Sequence, residues 1–285
     1  MIELEYAEVT WFLNGYCKFQ CSYCPSLFKS GELSFSVDQY LSVIEKLQST
    51  RYQHHPKIYW KLGGGEPLHY PHLSTLLKKI KERPSFVRLD TSGDDTWFSL
   101  YSVLNFIDKV KLTYHPWQND DVFGFALEQC QEKNIGVSIV IPLTPGKIYE
   151  AKEKAQHYKD LGYVCSEQIL YEEDGRLYQG YSQVDENRIY GRPDDYVSVP
   201  VVPVYTDLSV PNQADPVYTG KPCYAGVDWL TINPRGFASY SQCGGRSEHY
   251  NVFDPQWQPP SSHFACTVNQ CRNEQDRRKI RIVTE

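Results

Sequence analysis

The sequence predicts an α/β fold: a parallel sheet of six strand–helix units, arranged as an open, curved sheet or a partial barrel. Two observations carry this. Through roughly the first 170 residues, runs rich in β-branched and aromatic residues alternate with runs of helical period, the pattern of parallel βαβ units joined by crossovers. Six such strands are also too few for a closed eight-stranded barrel of usual size.

The elements follow in order. Residues 6–13 (YAEVTWFL) open with alternating apolar positions, as a strand does. Residues 38–49 place Leu41, Val43, Ile44 and Leu47 near helical spacing, and 57–62 (KIYWKL) form a strand stopped by three glycines. The cycle repeats with an amphipathic helix at 72–83, a strand at 86–91, a helix at 97–108, and a strand at 110–115 ended by Pro116. A helix at 122–134, a strand at 136–142, a helix at 149–162 finished by Gly162 and a last strand at 164–171 complete the alternation. Beyond about residue 172 proline and glycine become denser. Residues 197–205 alternate Val with Pro, which suits an edge strand or extended segment. Asn233-Pro234-Arg235-Gly236 is a turn signal between two short strands, a predicted hairpin. The expected organisation is a core over 1–172, a bridging region over 173–220 and a small cysteine-rich module over 221–285.

Composition narrows the function. A chain of 285 residues needs no disulfide staples to hold a core, yet it carries nine cysteines, and an odd number excludes complete internal pairing. The N-terminus lacks the basic start and cleavage site of a secretory signal, so the expected compartment is the reducing cytoplasm, where cysteine clusters signal metal or catalysis. A mean hydropathy of −0.52 and no stretch of about 18 apolar residues argue against a membrane span. A net charge of −6 offers no overall basic surface, so nucleic acid is not an expected partner.

The strongest chemical signal is CKFQCSYC: Cys17, Cys21 and Cys24 at CxxxCxxC spacing just after the first strand. Three thiolates in so short a loop can wrap one face of a metal centre and leave a coordination position open. The loop leaves the C-terminal end of a parallel strand, where α/β folds build active sites. On spacing alone, a structural zinc completed by a distant Cys or His is the competing reading.

At these residues the chain resembles the radical S-adenosylmethionine superfamily, whose hallmark is CxxxCxxC with an aromatic before the last cysteine, here Tyr23. Gly63-Gly64-Gly65-Glu66-Pro67 after the second strand is similar to that family's GGEP motif, which binds the methionyl amino group of the cofactor. Glycines permit close approach to the main chain, and Glu66 offers an anion to an ammonium. Thr91-Ser92-Gly93 after the third strand resembles the family's TNG-like segment, with Ser92 the better candidate for the cofactor's carboxylate or ribose. His115, after the fourth strand, stands where the family often contacts the ribose; a plain turn histidine before Pro116 is its alternative. Tyr23 is expected to place its backbone near the adenine. Lys18 and Gln20 depart from the usual pattern, but neither position holds a cluster ligand. The resemblance covers residues 6–171 and implies a partial (β/α)6 TIM-like barrel. It also implies a 4Fe-4S cluster on Cys17, Cys21 and Cys24 that chelates S-adenosylmethionine and cleaves it to methionine and a 5′-deoxyadenosyl radical.

A second constellation, Cys223, Cys243, Cys266 and Cys271, brackets the predicted hairpin and resembles a twitch or shortened SPASM extension, a β-hairpin plus helix module with an auxiliary 4Fe-4S cluster. Four cysteines suffice for one such cluster, against the seven of a full SPASM pattern, and structural zinc is the competing reading. Cys130 and Cys165 read as small buried hydrophobes, the pairs His54-His55 and His69/His72 as exposed loop residues, and Asp94-Asp95 and Asp194-Asp195 as solvated turns or caps.

Together these imply a radical enzyme that abstracts a hydrogen atom and carries out an oxidation, either dehydrogenation or cross-link formation, with the auxiliary cluster accepting the electron. A redox-neutral epimerisation and a non-catalytic iron-sulfur or zinc protein are the alternatives. The expected partners are a small-molecule or peptide substrate and a reductant such as flavodoxin or ferredoxin. Because strand one begins so close to residue 1, no N-terminal peptide-recognition domain is expected, which tilts the reading toward a small molecule or short peptide.

Overall fold

The computed structural model describes residues 6–31, 35–51, 55–93, 97–172, 176–194, 219–220, 222–223, 225–240, 250–260, 262 and 264–267. The six expected strands are present: β1 (Tyr6–Phe12), β2 (Lys57–Gly63), β3 (Ser85–Thr91), β4 (Lys109–Thr113), β5 (Gly136–Pro142) and β6 (Val164–Gln168). Between them run α1 (Val37–Lys46), α2 (Leu73–Lys81), α3 (Trp97–Val103), α4 (Asp120–Glu132) and α5 (Ile148–Asp160). Every pairing from β1 to β6 is parallel and joins consecutive strands. Element limits differ from the periodicity by a few residues for identifiable reasons. Asn119 caps α4, starting it two residues early through a bond from Asp121 N–H. β4 ends at Thr113, leaving His115 in the loop beyond it.

Register follows from one apolar row. Trp11 pairs with Leu62, Leu62 with Leu89, and Leu89 with Val110, all buried against the helices. Each such side chain contributes roughly 1.5–3 kcal/mol on burial, and a slip of one residue would turn the whole row away from the core. Trp11 also stacks on Tyr40 of α1 at 5.3 Å, and the Tyr40 hydroxyl donates to Leu13 O at 2.7 Å. The intervening residues line the opposite, concave face, which carries many polar groups: Glu8 and Thr10 on β1, Lys57 and Lys61 on β2, Arg88 and Asp90 on β3, Lys109 and Lys111 on β4.

The hairpin falls where the turn signal places it, with β8 (Trp229–Ile232) and β9 (Phe237–Ser239) antiparallel about Asn233–Gly236. Its position is not legible from periodicity. β8 pairs in parallel with β1, so among the described residues nine strands form one open sheet in the order β10-β9-β8-β1-β2-β3-β4-β5-β6, where β10 is Tyr250–Asn251. Trp229 Nε1 donates to Glu8 Oε1 at 3.1 Å, and Glu8 N–H donates to Asp228 O at 2.8 Å. A second sheet pairs β7 (Pro222–Cys223) with β11 (Phe264–Ala265). Within residues 173–220, α6 (Gln183–Ile189) is capped by a reciprocal Ser182–Asp185 box that the composition did not announce. The Val-Pro run at 197–205 and the helix expected at the C-terminus lie outside the described residues.

Two histidines correct the sequence reading. His55 is half-buried and its Nε2 lies 3.0 Å from Asp228 Oδ1, because the β8 pairing brings Asp228 beside the start of β2. His69 is also half-buried, packed edge-on against Tyr16 at 5.1 Å; His72 is exposed as expected. No helix among the described residues is long and apolar enough to cross a membrane.

Candidate functional site

The C-terminal ends of β1, β2, β3 and β4 meet along one edge of the sheet, and hydrogen bonds join them into a continuous circuit. It begins where the glycine loop after β2 is stitched to the chain leaving β1. Gly65 N–H donates to Asn14 O at 2.8 Å, Glu66 N–H to Tyr16 O at 2.6 Å, and the Asn14 side-chain amide to Glu66 O at 2.9 Å. Glycine is required here by proximity. A β-carbon on Gly64 would stand 2.7 Å from Asn14 O with φ at +138°, and one on Gly65 would overlap the Tyr16 carbonyl. Gly63 closes β2 opposite Phe12.

Glu66 is 2 % exposed, and its carboxylate accepts four hydrogen bonds. Oε1 takes Thr91 Oγ1–H at 2.5 Å and Leu68 N–H at 3.1 Å; Oε2 takes Ser92 Oγ–H at 2.6 Å and Ser92 N–H at 2.9 Å. A buried carboxylate survives only with such saturation. Ser92 and Glu66, singled out separately in the sequence, are therefore partners of one another. The circuit continues through Gln118, whose amide donates to Ser92 O at 2.7 Å and whose carbonyl oxygen accepts His115 N–H at 3.1 Å. His115 Nδ1 stands 3.1 Å from Tyr23 Oη and 3.8 Å from Cys21 Sγ, which brings the circuit to the cysteine loop.

That loop carries Cys17, Cys21 and Cys24, all free thiols. Cys24 N–H donates to Cys21 O at 3.1 Å, and Lys29 Nζ, from the following 3₁₀ turn, donates to the same carbonyl at 3.0 Å. Burial, with Cys21 and Cys17 close by, pushes the Cys24 thiol up to about 11; burial raises Cys17 and Cys21 as well, and raises Tyr23 strongly. Among the described residues no three His, Cys, Asp or Glu side chains are gathered at metal-holding distance. The fit to an iron-sulfur centre is one of donor chemistry: three thiols on one short loop, at the edge where β1 to β4 end. A cavity of about 510 Å³ opens beside Tyr23 and Cys24 and is lined also by Lys29, Tyr171, Glu172 and Arg176. Phe19 of this loop lies tilted against His115, which stacks on half-exposed Trp117.

Asn14, Gln118 and Lys29 were missed from sequence. Each acts on a backbone carbonyl, for Asn14 and Gln118 one of a distant segment and for Lys29 one eight residues back, so no local motif marks it. His69 Nδ1 is buried beside Tyr16 and has no hydrogen-bond partner among the described residues.

Of the second constellation, Cys223 and Cys266 are both buried; Cys223 ends β7 and Cys266 directly follows β11. Phe264 is opposite Cys223, and Cys266 O accepts Gly220 N–H at 2.7 Å. Cys243 and Cys271 lie outside the described residues, as do Asp94 and Asp95. Cys130 is fully buried, and burial pushes its thiol up to about 12; Cys165 is half-buried on β6.

The open sheet of six parallel strands with its flanking helices has the architecture of the radical S-adenosylmethionine partial barrel. It is similar to anSMEcpe, in a structure with AdoMet and the Cp18Cys peptide bound, with a TM-score of 0.52 at 12 % identity over 88 % of this chain and 78 % of that one. SuiB of Streptococcus suis aligns at 11 % identity and TM-score 0.41 over 89 % of this chain, which spans 65 % of SuiB. The methylornithine synthase PylB aligns at 13 % identity and TM-score 0.43, over 65 % of this chain and 62 % of PylB. No protein-family model and no curated protein matches the sequence.

Proposed function

We propose that this chain is a radical S-adenosylmethionine enzyme, with its cofactor site at the edge where β1 to β4 end. The observation that carries the reading is the circuit Glu66–Ser92–Gln118–His115–Tyr23/Cys21, which ties four separately recognised motifs to one place in the fold. The shared fold with AdoMet-bound anSMEcpe supports it.

Cys17, Cys21 and Cys24 would hold a 4Fe-4S cluster; when bound, it supplies the electron that cleaves S-adenosylmethionine to methionine and a hydrogen-abstracting 5′-deoxyadenosyl radical. The residues of this chain position and shield. Glu66, held by four donors, is a fixed negative charge beside the glycine loop, suited to a cofactor ammonium that approaches the Gly64–Gly65 backbone. In this reading Ser92 would contact the cofactor's carboxylate or ribose, His115 its ribose, and the Tyr23 backbone its adenine. Phe19 and Trp117 limit water at the loop.

The reaction we assign is an oxidation of a small molecule or peptide. Cys223 and Cys266, at the end of β7 and just beyond its partner β11, support an auxiliary 4Fe-4S centre completed by Cys243 and Cys271 that would take the substrate's electron. In this reading residues 221–285 form the auxiliary module, 173–220 the bridge and 1–172 the core, and a flavodoxin or ferredoxin reduces the enzyme.

Anaerobic reconstitution tests this. About eight irons per chain are expected from two cubane clusters, about four in Cys223→Ala, and release of 5′-deoxyadenosine from S-adenosylmethionine by the reduced wild-type protein but not by Cys17→Ala. Zinc at both sites with no cofactor cleavage would refute the enzyme.

A further inference from the structure

We propose that the concave face of the sheet is an oxyanion-binding wall, so that the substrate of the reaction proposed above carries a carboxylate or phosphate held by Lys111 and Lys109.

The charged side chains on this face number seven among the described residues, of which Lys57, at the start of β2, is exposed. Glu8 is bonded to Lys61 and Trp229, and Asp90 receives a bidentate fork from Arg88, Nε to Oδ1 at 2.7 Å and Nη2 to Oδ2 at 2.9 Å. The two anions are thus committed. Lys109 and Lys111, half-buried on β4, have no ion pair or hydrogen bond among the described residues. Among the described residues, no element packed beside them on this face supplies an uncommitted acid. Asp90, the register partner of Lys111, is turned to Arg88; Gly136 and Ser138 stand opposite on β5, and Ser166 follows on β6.

Two ammonium groups on alternate residues of one strand rise from backbone positions about 7 Å apart, with the Arg88 strand about 4.8 Å to the side. Like charges held side by side and partly withdrawn from water are unfavourable until an anion joins them. The surroundings orient such an anion. Tyr6, Tyr59 and Phe86 meet edge-to-face below the Lys61 and Arg88 level, with ring centroids 5.9 and 5.0 Å apart, making an apolar floor. Above, Lys111 lies four residues before His115 at the cysteine loop, a rise of about 13 Å along an extended chain. A substrate whose charged end rests on Lys111 would therefore direct its other end toward the proposed radical source.

The test uses the full-length protein and needs neither iron nor S-adenosylmethionine, so its failure is distinct from failure of the proposed reaction. Lysine acylation is followed residue by residue by mass spectrometry, with inorganic phosphate titrated in and chloride used to hold ionic strength constant. At twice the phosphate dissociation constant, labelling of Lys109 and Lys111 slows about threefold while exposed Lys78 is unchanged. Phosphate also raises the wild-type melting temperature and not that of Lys111→Met. Succinate run in parallel sorts carboxylate from phosphate recognition. Labelling unaffected by either anion, or an equal thermal shift in Lys111→Met, overturns the proposal; if that variant does not fold, the wild-type labelling decides.

Discussion

Glu66 shows how much one side chain can carry in this protein. Its two oxygens each accept two donors, from Thr91 at the end of β3, from Ser92 just beyond it and from its own 3₁₀ turn. Glu66→Gln keeps the shape but turns one oxygen into an amide that faces two donors. The expected loss is about 3 kcal/mol of stability, measured by urea unfolding of the iron-free protein, because two charge-assisted bonds go and buried donors are left unpaired. Unchanged stability would show that the carboxylate is not holding β2 and β3 together. The role of Glu66 as an anion was visible in its motif. Its entanglement with Ser92 was not, because the two are 26 residues apart and meet only once β2 and β3 pair.

Among the elements, the junction of β4, α4 and α5 rests on a partly exposed charge. Asp120, in the first turn of α4, accepts Lys154 Nζ from α5 at 2.8 Å and Tyr114 Oη–H from the chain after β4 at 2.5 Å. The Lys154 bond first, and the Tyr114 bond with it, hold the Asp120 carboxyl below its ordinary value of 3.8. A carboxyl depressed in the folded state stabilises above its unfolded pKa, and the benefit disappears as pH falls through the folded one. Asp120→Asn should therefore cost about 0.5–1 kcal/mol at pH 7, small because the pair is exposed, and the gap should close as pH drops below 3.8. Thermal unfolding of both proteins across that range checks the sign. Helix periodicity located α4 and α5, but a bond spanning 34 residues leaves no periodic trace.

For the whole molecule, the unforeseen feature is that the C-terminal hairpin adds to the core sheet through β8 and β1. Leu230 on β8 is fully buried in the same apolar cluster as Trp11 and Leu62. Leu230→Ala should then lower the stability of the entire protein by about 3 kcal/mol. Far-UV dichroism and tryptophan fluorescence should shift together in one transition, since Trp11 and Trp60 lie in the core and Trp229 on the hairpin. A core transition left in place while the hairpin melts would show two independent units.

The amino-acid sequence by itself determined the six βα units, their order and the loops that carry Cys17, Cys21, Cys24, the glycine run and the Thr91–Gly93 turn. It could do so because alternation, helical period and glycine stops are local properties of a chain. Tertiary structure alone decided that β8 lies beside β1, that Glu66 belongs to Ser92, and that Gln118 links Ser92 to His115. It also decided that Lys109 and Lys111 share a concave face with the acids already taken. Those outcomes depend on which strands become neighbours, and parallel pairing across crossovers sets residues 20 to 220 positions apart side by side.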